Sequence, residues 1–438
     1  MWRFDEQKVP NIRVDPPGPV AQEWLRRDAQ QVSPSYTRVY PLVVERASGC
    51  VVQDVDGNLY LDCTAGIAVT ATGHCHPQVV AAIQQQAERL VHMSGTDFYY
   101  PLQVKLAERL AQLVPGPSPK RVFFANSGAE AIEGALKLAR WYTRRPRVIS
   151  FVGAFHGRTY GAMSLSTSKA VHRRGFAPLL PEVYQVAFPR VCPEGGRCQQ
   201  QVCRLIDELE TGLFRRIAPA DEVAAIFVEP IQGEGGYYPL PPGCLPALRT
   251  LCDRYGIVLV VDEVQTGMGR TGRMFAVEHY GIEPDILCLA KGIASGLPLA
   301  AIVARAPIMN WPPGSHASTF GGNPVCCAAA LATLDLLENG YITNAAERGE
   351  QLRRGLSQLC RRYPCLSGVR GLGLMTAVDL PTASLRDQLL QLCFRRGLLL
   401  LGCGEAALRF CPPLCITASQ IETALHILAD ALAHLPVA

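Results

Sequence analysis

A chain of 438 residues is longer than one small hydrophobic core organises, so a large domain with a smaller companion is expected. Hydrophobic residues make up 48% and charged residues only 18%, which excludes a largely disordered chain. Lys+Arg of 42 against Asp+Glu of 38 leaves +4, too small a surplus to argue for nucleic acid or a membrane surface, so small-molecule chemistry is the expectation.

Met1 to Pro10 lacks the apolar centre of a signal peptide, and no stretch reaches the ~18 consecutive apolar residues of a membrane span, which points to a soluble cytoplasmic protein. From Pro10 to Pro34 the chain is rich in proline and polar residues, predicting an arm on a surface or partner subunit rather than a core element. Between Tyr40 and Leu61 apolar and polar residues alternate around Asp56-Gly57-Asn58, as in a β-hairpin or meander.

From about Pro77 to Cys327 short apolar runs alternate with helical-period stretches, the pattern of a mostly parallel sheet covered by helices. The strand candidates are 121–125, 148–152, 224–228, 257–261, 286–289 and 300–303. Ligands of open α/β sheets bind beyond the carboxyl ends of the strands, so the residues following these runs are the ones to inspect. After Cys327 come helices over 328–338 and 345–362, then strand-like runs over 372–378 and 397–401, a second, α+β domain. Seventeen cysteines, an odd number scattered through core segments, read as reduced thiols; Cys192, Cys198 and Cys203 match no common zinc spacing.

Three strand ends carry chemistry. The first leads into Asn126-Ser127-Gly128-Ala129-Glu130, a capping-box pattern with small residues, which suits either a phosphate cradle or an ordinary capped helix. The second delivers Asp262 and Glu263, where a buried carboxylate needs a cationic partner or serves as an N-cap. The third delivers Lys291, in a chain that otherwise strongly prefers arginine. An amine on an apolar strand end has a depressed pKa and becomes nucleophilic, although a lysine reaching past the sheet rim to water would look the same.

Around these residues run Leu61-Asp62, Ala65-Gly66-Ile67-Ala68-Val69, Gly73-His74-Cys75-His76-Pro77, Phe155-His156-Gly157-Arg158-Thr159 and Val228-Glu229-Pro230. Further on stand Gln232-Gly233-Glu234-Gly235-Gly236, Asp262-Glu263-Val264-Gln265 and Thr319-Phe320-Gly321-Gly322-Asn323-Pro324. From about Pro34 to Thr417 the chain resembles the class III aminotransferases, a fold-type-I pyridoxal-phosphate family. The resemblance implies an α/β fold with a mostly parallel seven-stranded sheet between helices and a smaller α+β domain. It divides the chain into an arm with part of the small domain (1–70), a large cofactor-binding domain (71–327) and a C-terminal small domain (328–438).

The resemblance further implies that Lys291 holds pyridoxal 5′-phosphate as a Schiff base, that Asp262 keeps its ring nitrogen protonated and that Gln265 meets its hydroxyl. Phe155 stacks on the ring, Ser127 and Gly128 take the phosphate, and Ala129, His156, Glu229 and Val264 complete the contacts. Thr319 reaches the phosphate of a neighbouring subunit, which makes a homodimer with a shared site that could pair into tetramers. Ile67, Arg158, Glu234 and Arg409 face the substrates, Arg409 for an α-carboxylate, Arg158 for a distal one, and Glu234 as a carboxylate that neutralises Arg409 when the donor has no α-carboxylate. His74 and His76 fall to a structural turn rather than a metal.

The activity implied is amino transfer from an ω-amino acid of the 4-aminobutyrate or ornithine type to a 2-oxo acid, 2-oxoglutarate foremost. An amino-acid racemase or epimerase is the alternative, because Pro34-Ser35-Tyr36-Thr37-Arg38, Thr96-Asp97-Phe98-Tyr99-Tyr100 and Leu401-Gly402-Cys403-Gly404 resemble a subgroup containing both activities. A regulatory scaffold without turnover is the third reading, and the intact set of Lys291, Asp262, Arg158 and Arg409 speaks against it.

Overall fold

The computed structural model describes residue 4, residues 9–190 and residues 198–435. At its centre is a seven-stranded sheet, ordered Lys120–Ala125, Ala300–Arg305, Ile286–Leu289, Val258–Asp262, Val223–Val228, Arg147–Phe151 and Val183–Val186. Only Ala300–Arg305 runs against the others. All six strand candidates lie in this sheet, 286–289 with the same bounds and the other five with ends shifted by a residue or two. The seventh, Val183–Val186, is a half-buried edge strand whose polar residues hide it from a search for apolar runs.

Val223–Val228 is buried at every position because helices cover both faces of the sheet, which is why its sequence reads as a continuous apolar run. The helix Gly128–Thr143 buries Ala131, Ile132, Ala135, Leu138 and Ala139 against one face. Cys244–Tyr255 buries Leu245, Leu248 and Leu251 in the larger core on the other.

A four-stranded antiparallel sheet, ordered Ser367–Leu372, Met375–Asp379, Ala407–Phe410 and Leu401–Cys403, lies beside the helices Ile342–Arg362, Ala383–Arg395 and Ala418–Ala433. The single strand expected over 372–378 is instead the turn and second arm of a hairpin, with Leu372 paired to Met375. The meander is present as Val44–Ser48, Val51–Asp54 and Leu59–Asp62, and Leu398–Leu399 adds to it in parallel, tying the N-terminal segment to the C-terminal one.

The arm over 10–34 contains the helix Pro19–Gln31, capped by Asp56, whose carboxylate accepts the Val20 and Ala21 N–H groups at 2.9 Å; the cap is remote in sequence and therefore invisible locally. The run Pro324–Arg362 is helical and apolar enough over part of its length to cross a membrane by composition. Its first half, however, buries Cys326, Cys327, Ala329, Ala330 and Leu334 in the protein core, and Gly340, at φ +123°, breaks it.

Candidate active site

The strand ends converge. Asn126, Ser127, Gly128, Ala129, Phe155, His156, Arg158, Glu229, Glu234, Asp262, Val264, Gln265 and Lys291 line one cavity of about 460 Å³, together with Val69 and the segment Gly296 to Leu299. Ile67 is not in the lining, Thr319 is exposed in a loop outside it, and Arg409 sits behind Glu234.

Asp262 ends its strand fully enclosed, with Oδ1 accepting the Val264 N–H at 2.9 Å and Oδ2 lying 2.7 Å from His156 Nδ1. Burial works to discharge His156, but Asp262 outweighs it and raises its pKa. Lys291 follows the strand Ile286–Leu289 with a φ of +44°, a left-handed conformation that costs a residue with a side chain about 1–3 kcal/mol. Burial lowers its pKa, as the sequence predicted, with Asp262 opposing and Arg409 adding to the effect.

The helix Gly128–Thr143 begins at the cavity, and its opening N–H groups lack intrahelical acceptors. Ser127 Oγ accepts the Glu130 N–H at 3.3 Å, but Glu130 does not return the bond to Ser127. Its carboxylate accepts from the N–H and side-chain amide of Asn126, so only half of the expected capping box forms. A Cβ added to Gly128 would meet Val264 Cγ1 at 2.8 Å, so the glycine lets the helix start press against the Val264 wall.

Glu229 braces the loops around the cavity, accepting the Phe155 N–H at 3.1 Å and the Gly233 N–H at 2.9 Å, and burial pushes its carboxyl up to about 7. The Arg158 guanidinium lies 5.8 Å from the centre of the Phe155 ring. Glu234 bridges two cations, Oε1 at 3.0 Å from Arg409 Nη2 and Oε2 at 3.1 Å from Lys169 Nζ. Burial pushes Glu234 up, yet the two cations outweigh it and hold it at about 2.

Beside the cavity, Ala65, Gly66, Ile67 and Ala68 all have φ between 48° and 68°, a left-handed turn that L residues rarely adopt. It is bracketed by Asp62, whose Oδ1 accepts the Thr64 N–H and hydroxyl at 2.7 Å and whose Oδ2 meets His74 Nε2 at 2.8 Å. His76 caps the helix Pro77–Arg89 by accepting the Gln78 N–H. Both histidines therefore have structural work, and among the described residues no group of three His, Cys, Asp or Glu side chains is placed to hold a metal ion. Cys192 and the side chain of Cys198 lie outside the described residues; Cys203 is exposed.

Sequence reasoning missed two members of the site. Tyr237, fully buried, donates its hydroxyl proton to Gln265 Oε1 at 2.7 Å and so orients that amide; a tyrosine directly after the Gly235-Gly236 pair was the available signal. Lys169 stands 65 residues before its partner Glu234, and no local pattern connects them.

The sequence profile described as Aminotransferase class-III matches residues 32–432. The chain is 40% identical to 4-aminobutyrate aminotransferase of Mycobacterium tuberculosis, over 98% of this chain and 99% of that one. It is 36% identical to alanine/serine racemase of Pyrococcus horikoshii, over 97% and 93%. The crystal structure of ornithine aminotransferase from Toxoplasma gondii superposes with a TM-score of 0.85 at 32% identity, covering 94% of this chain and 95% of that one.

Proposed function

Because this chain belongs to the class-III aminotransferases, pyridoxal-phosphate-dependent enzymes of fold type I, we propose that it moves an amino group from an ω-amino acid of the 4-aminobutyrate or ornithine type to a 2-oxo acid, 2-oxoglutarate foremost. The observation that carries this reading is the Glu234–Arg409 pair at 3.0 Å beside the cavity. An arginine covered by a removable carboxylate suits a site that must alternate between a donor without an α-carboxylate and an acceptor with one.

The residues fit the cofactor. The helix start at Gly128 and Ala129, with Ser127, would hold the phosphate; Asp262, braced by His156 and Val264, would meet the ring nitrogen; Gln265, oriented by Tyr237, would meet the hydroxyl; Phe155 would cover a ring face. Bound there, the cofactor supplies a protonated pyridine ring that withdraws electrons from the bond being broken. Lys291 would join its aldehyde, and the exposed Thr319 would serve the same site in a partner subunit of a homodimer.

Lys291 Nζ is the group that moves the proton off the amine-bearing carbon. Its lowered pKa lets it act as a free amine, and its tether at the strand end keeps it within reach of the reacting atoms. Arg158 takes a carboxylate at the far end of the substrate, and Arg409 takes the α-carboxylate once Glu234 withdraws. Among the described residues Arg409 Nε and Nη1 are buried without hydrogen-bond partners, donors that an α-carboxylate arriving in place of Glu234 would meet.

A racemase is the second reading, favoured by the 36% identity to an alanine/serine racemase. The two reactions differ in where the proton returns. A panel of 4-aminobutyrate, ornithine, acetylornithine and alanine, assayed with 2-oxoglutarate and with pyruvate, tests the proposal. Turnover of an ω-amino donor supports it; inversion of a single enantiomer with no oxo acid present overturns it.

A further inference from the structure

Glu234 is claimed by two cations through different oxygens, and the two differ in environment. Arg409 is fixed in its strand with its side chain 4% exposed, whereas the Lys169 side chain is 40% exposed and Glu234 itself only 18%. The arginine is enclosed on a paired strand. The lysine rides on the segment before the turn Ala170–His172 and has freedom to follow its partner.

Charge bookkeeping shows why a second cation matters. With no α-carboxylate bound, one carboxylate faces two cations. When a substrate α-carboxylate reaches Arg409, Glu234 must leave, and the cluster of Arg409, Lys169, Glu234 and the substrate then holds two carboxylates and two cations, a locally balanced set. Without Lys169 the same event would leave Glu234 largely buried, unpaired and next to a like charge, which is the costly arrangement for an ionised group. While both cations hold it Glu234 is kept at about 2, so it begins the exchange ionised.

We propose that Lys169 is a positioning residue for Glu234, retaining that carboxylate each time a substrate α-carboxylate displaces it from Arg409, and so permitting one pocket to serve both substrate classes. The proposal rests on the reading of Arg409 and Glu234 given above. It assigns Lys169 an effect on substrates with an α-carboxylate and much less on amines without one.

The test uses the full-length cofactor-loaded enzyme and single half-reactions followed by absorbance, with L-glutamate and L-alanine as donors bearing an α-carboxylate, and 4-aminobutyrate and a plain primary amine as donors without one. K169M raises the apparent dissociation constants of glutamate and alanine about tenfold relative to the other pair, with a smaller change in the limiting rates; K169R restores them. In an E234Q background, K169M loses its effect, because the lysine then has no charge to retain. Equal weakening of all donors, or an undiminished K169M effect in the E234Q background, overturns the proposal. If wild-type enzyme ignored 4-aminobutyrate and ornithine, the donor assignment would fall separately, since alanine against the plain amine still reads the role of Lys169.

Discussion

His156 Nδ1 lies 2.7 Å from Asp262 Oδ2, with both side chains enclosed at the end of the strand Val258–Asp262. The imidazole fixes the carboxylate's orientation, as the role proposed for Asp262 opposite the cofactor's ring nitrogen requires. Among the described residues His156 Nε2 is buried with no hydrogen-bond partner, so the imidazole's one hydrogen bond goes to Asp262.

Loss of that brace has a measurable consequence. H156A leaves Asp262 Oδ2 unpaired in a buried site, and cofactor affinity falls at least about tenfold, read as loss of bound cofactor absorbance on gel filtration or dilution. H156Q, which keeps a donor, retains more. Full retention of cofactor by H156A would show that the Val264 N–H alone is enough.

On the role proposed for Lys291, its removal is expected to silence the chemistry. K291A lowers turnover by about a thousandfold or more, in line with the loss of both the covalent anchor and the proton-moving amine. Borohydride treatment of the wild type adds the cofactor's mass to the peptide carrying Lys291 and leaves that region of K291A unmodified. Substantial activity in K291A with added cofactor would move the base elsewhere.

Removing the carboxylate over Arg409 shifts specificity rather than abolishing activity. In E234Q, kcat/KM for 4-aminobutyrate or ornithine falls about tenfold more than that for glutamate, because only the former leave Arg409 uncovered. Parallel losses would mean that Glu234 acts as a simple structural ion pair.

The legible parts of this molecule were those encoded by local pattern. Val223–Val228, Val258–Asp262 and Ile286–Leu289 read as buried strands because burial on both faces demands uninterrupted apolar residues, and the carboxyl ends of the last two then located Asp262 and Lys291, whereas Glu229 came only with the family resemblance. What stayed hidden was non-local. The helix Pro19–Gln31 is capped by Asp56, the edge strand Val183–Val186 shows no apolar run, and Lys169 meets Glu234 only through the fold. The left-handed turn at Ala65–Ala68 could not be read from composition, since three of its four residues are not glycine and are held there by the bracket of Asp62.

Glu263, adjacent to Asp262 and wholly buried, gives the stability a pH dependence. Its oxygens accept the Ala276 N–H at 2.6 Å, the Val277 N–H at 2.8 Å and the Thr266 hydroxyl at 3.2 Å, yet burial dominates and pushes its carboxyl up to about 7 from 4.5. A folded-state pKa above the unfolded one means that the native protein binds the extra proton. This contribution is therefore complete below pH 4.5 and is lost as the pH rises through 7, with a ceiling on the order of 3 kcal/mol. Glutamine cannot titrate, so the difference in unfolding free energy between wild type and E263Q, measured by urea titration, is larger at pH 5 than at pH 8. A difference that stays constant, or widens with pH, would mean that the three hydrogen bonds overcome burial and keep Glu263 ionised in the native protein.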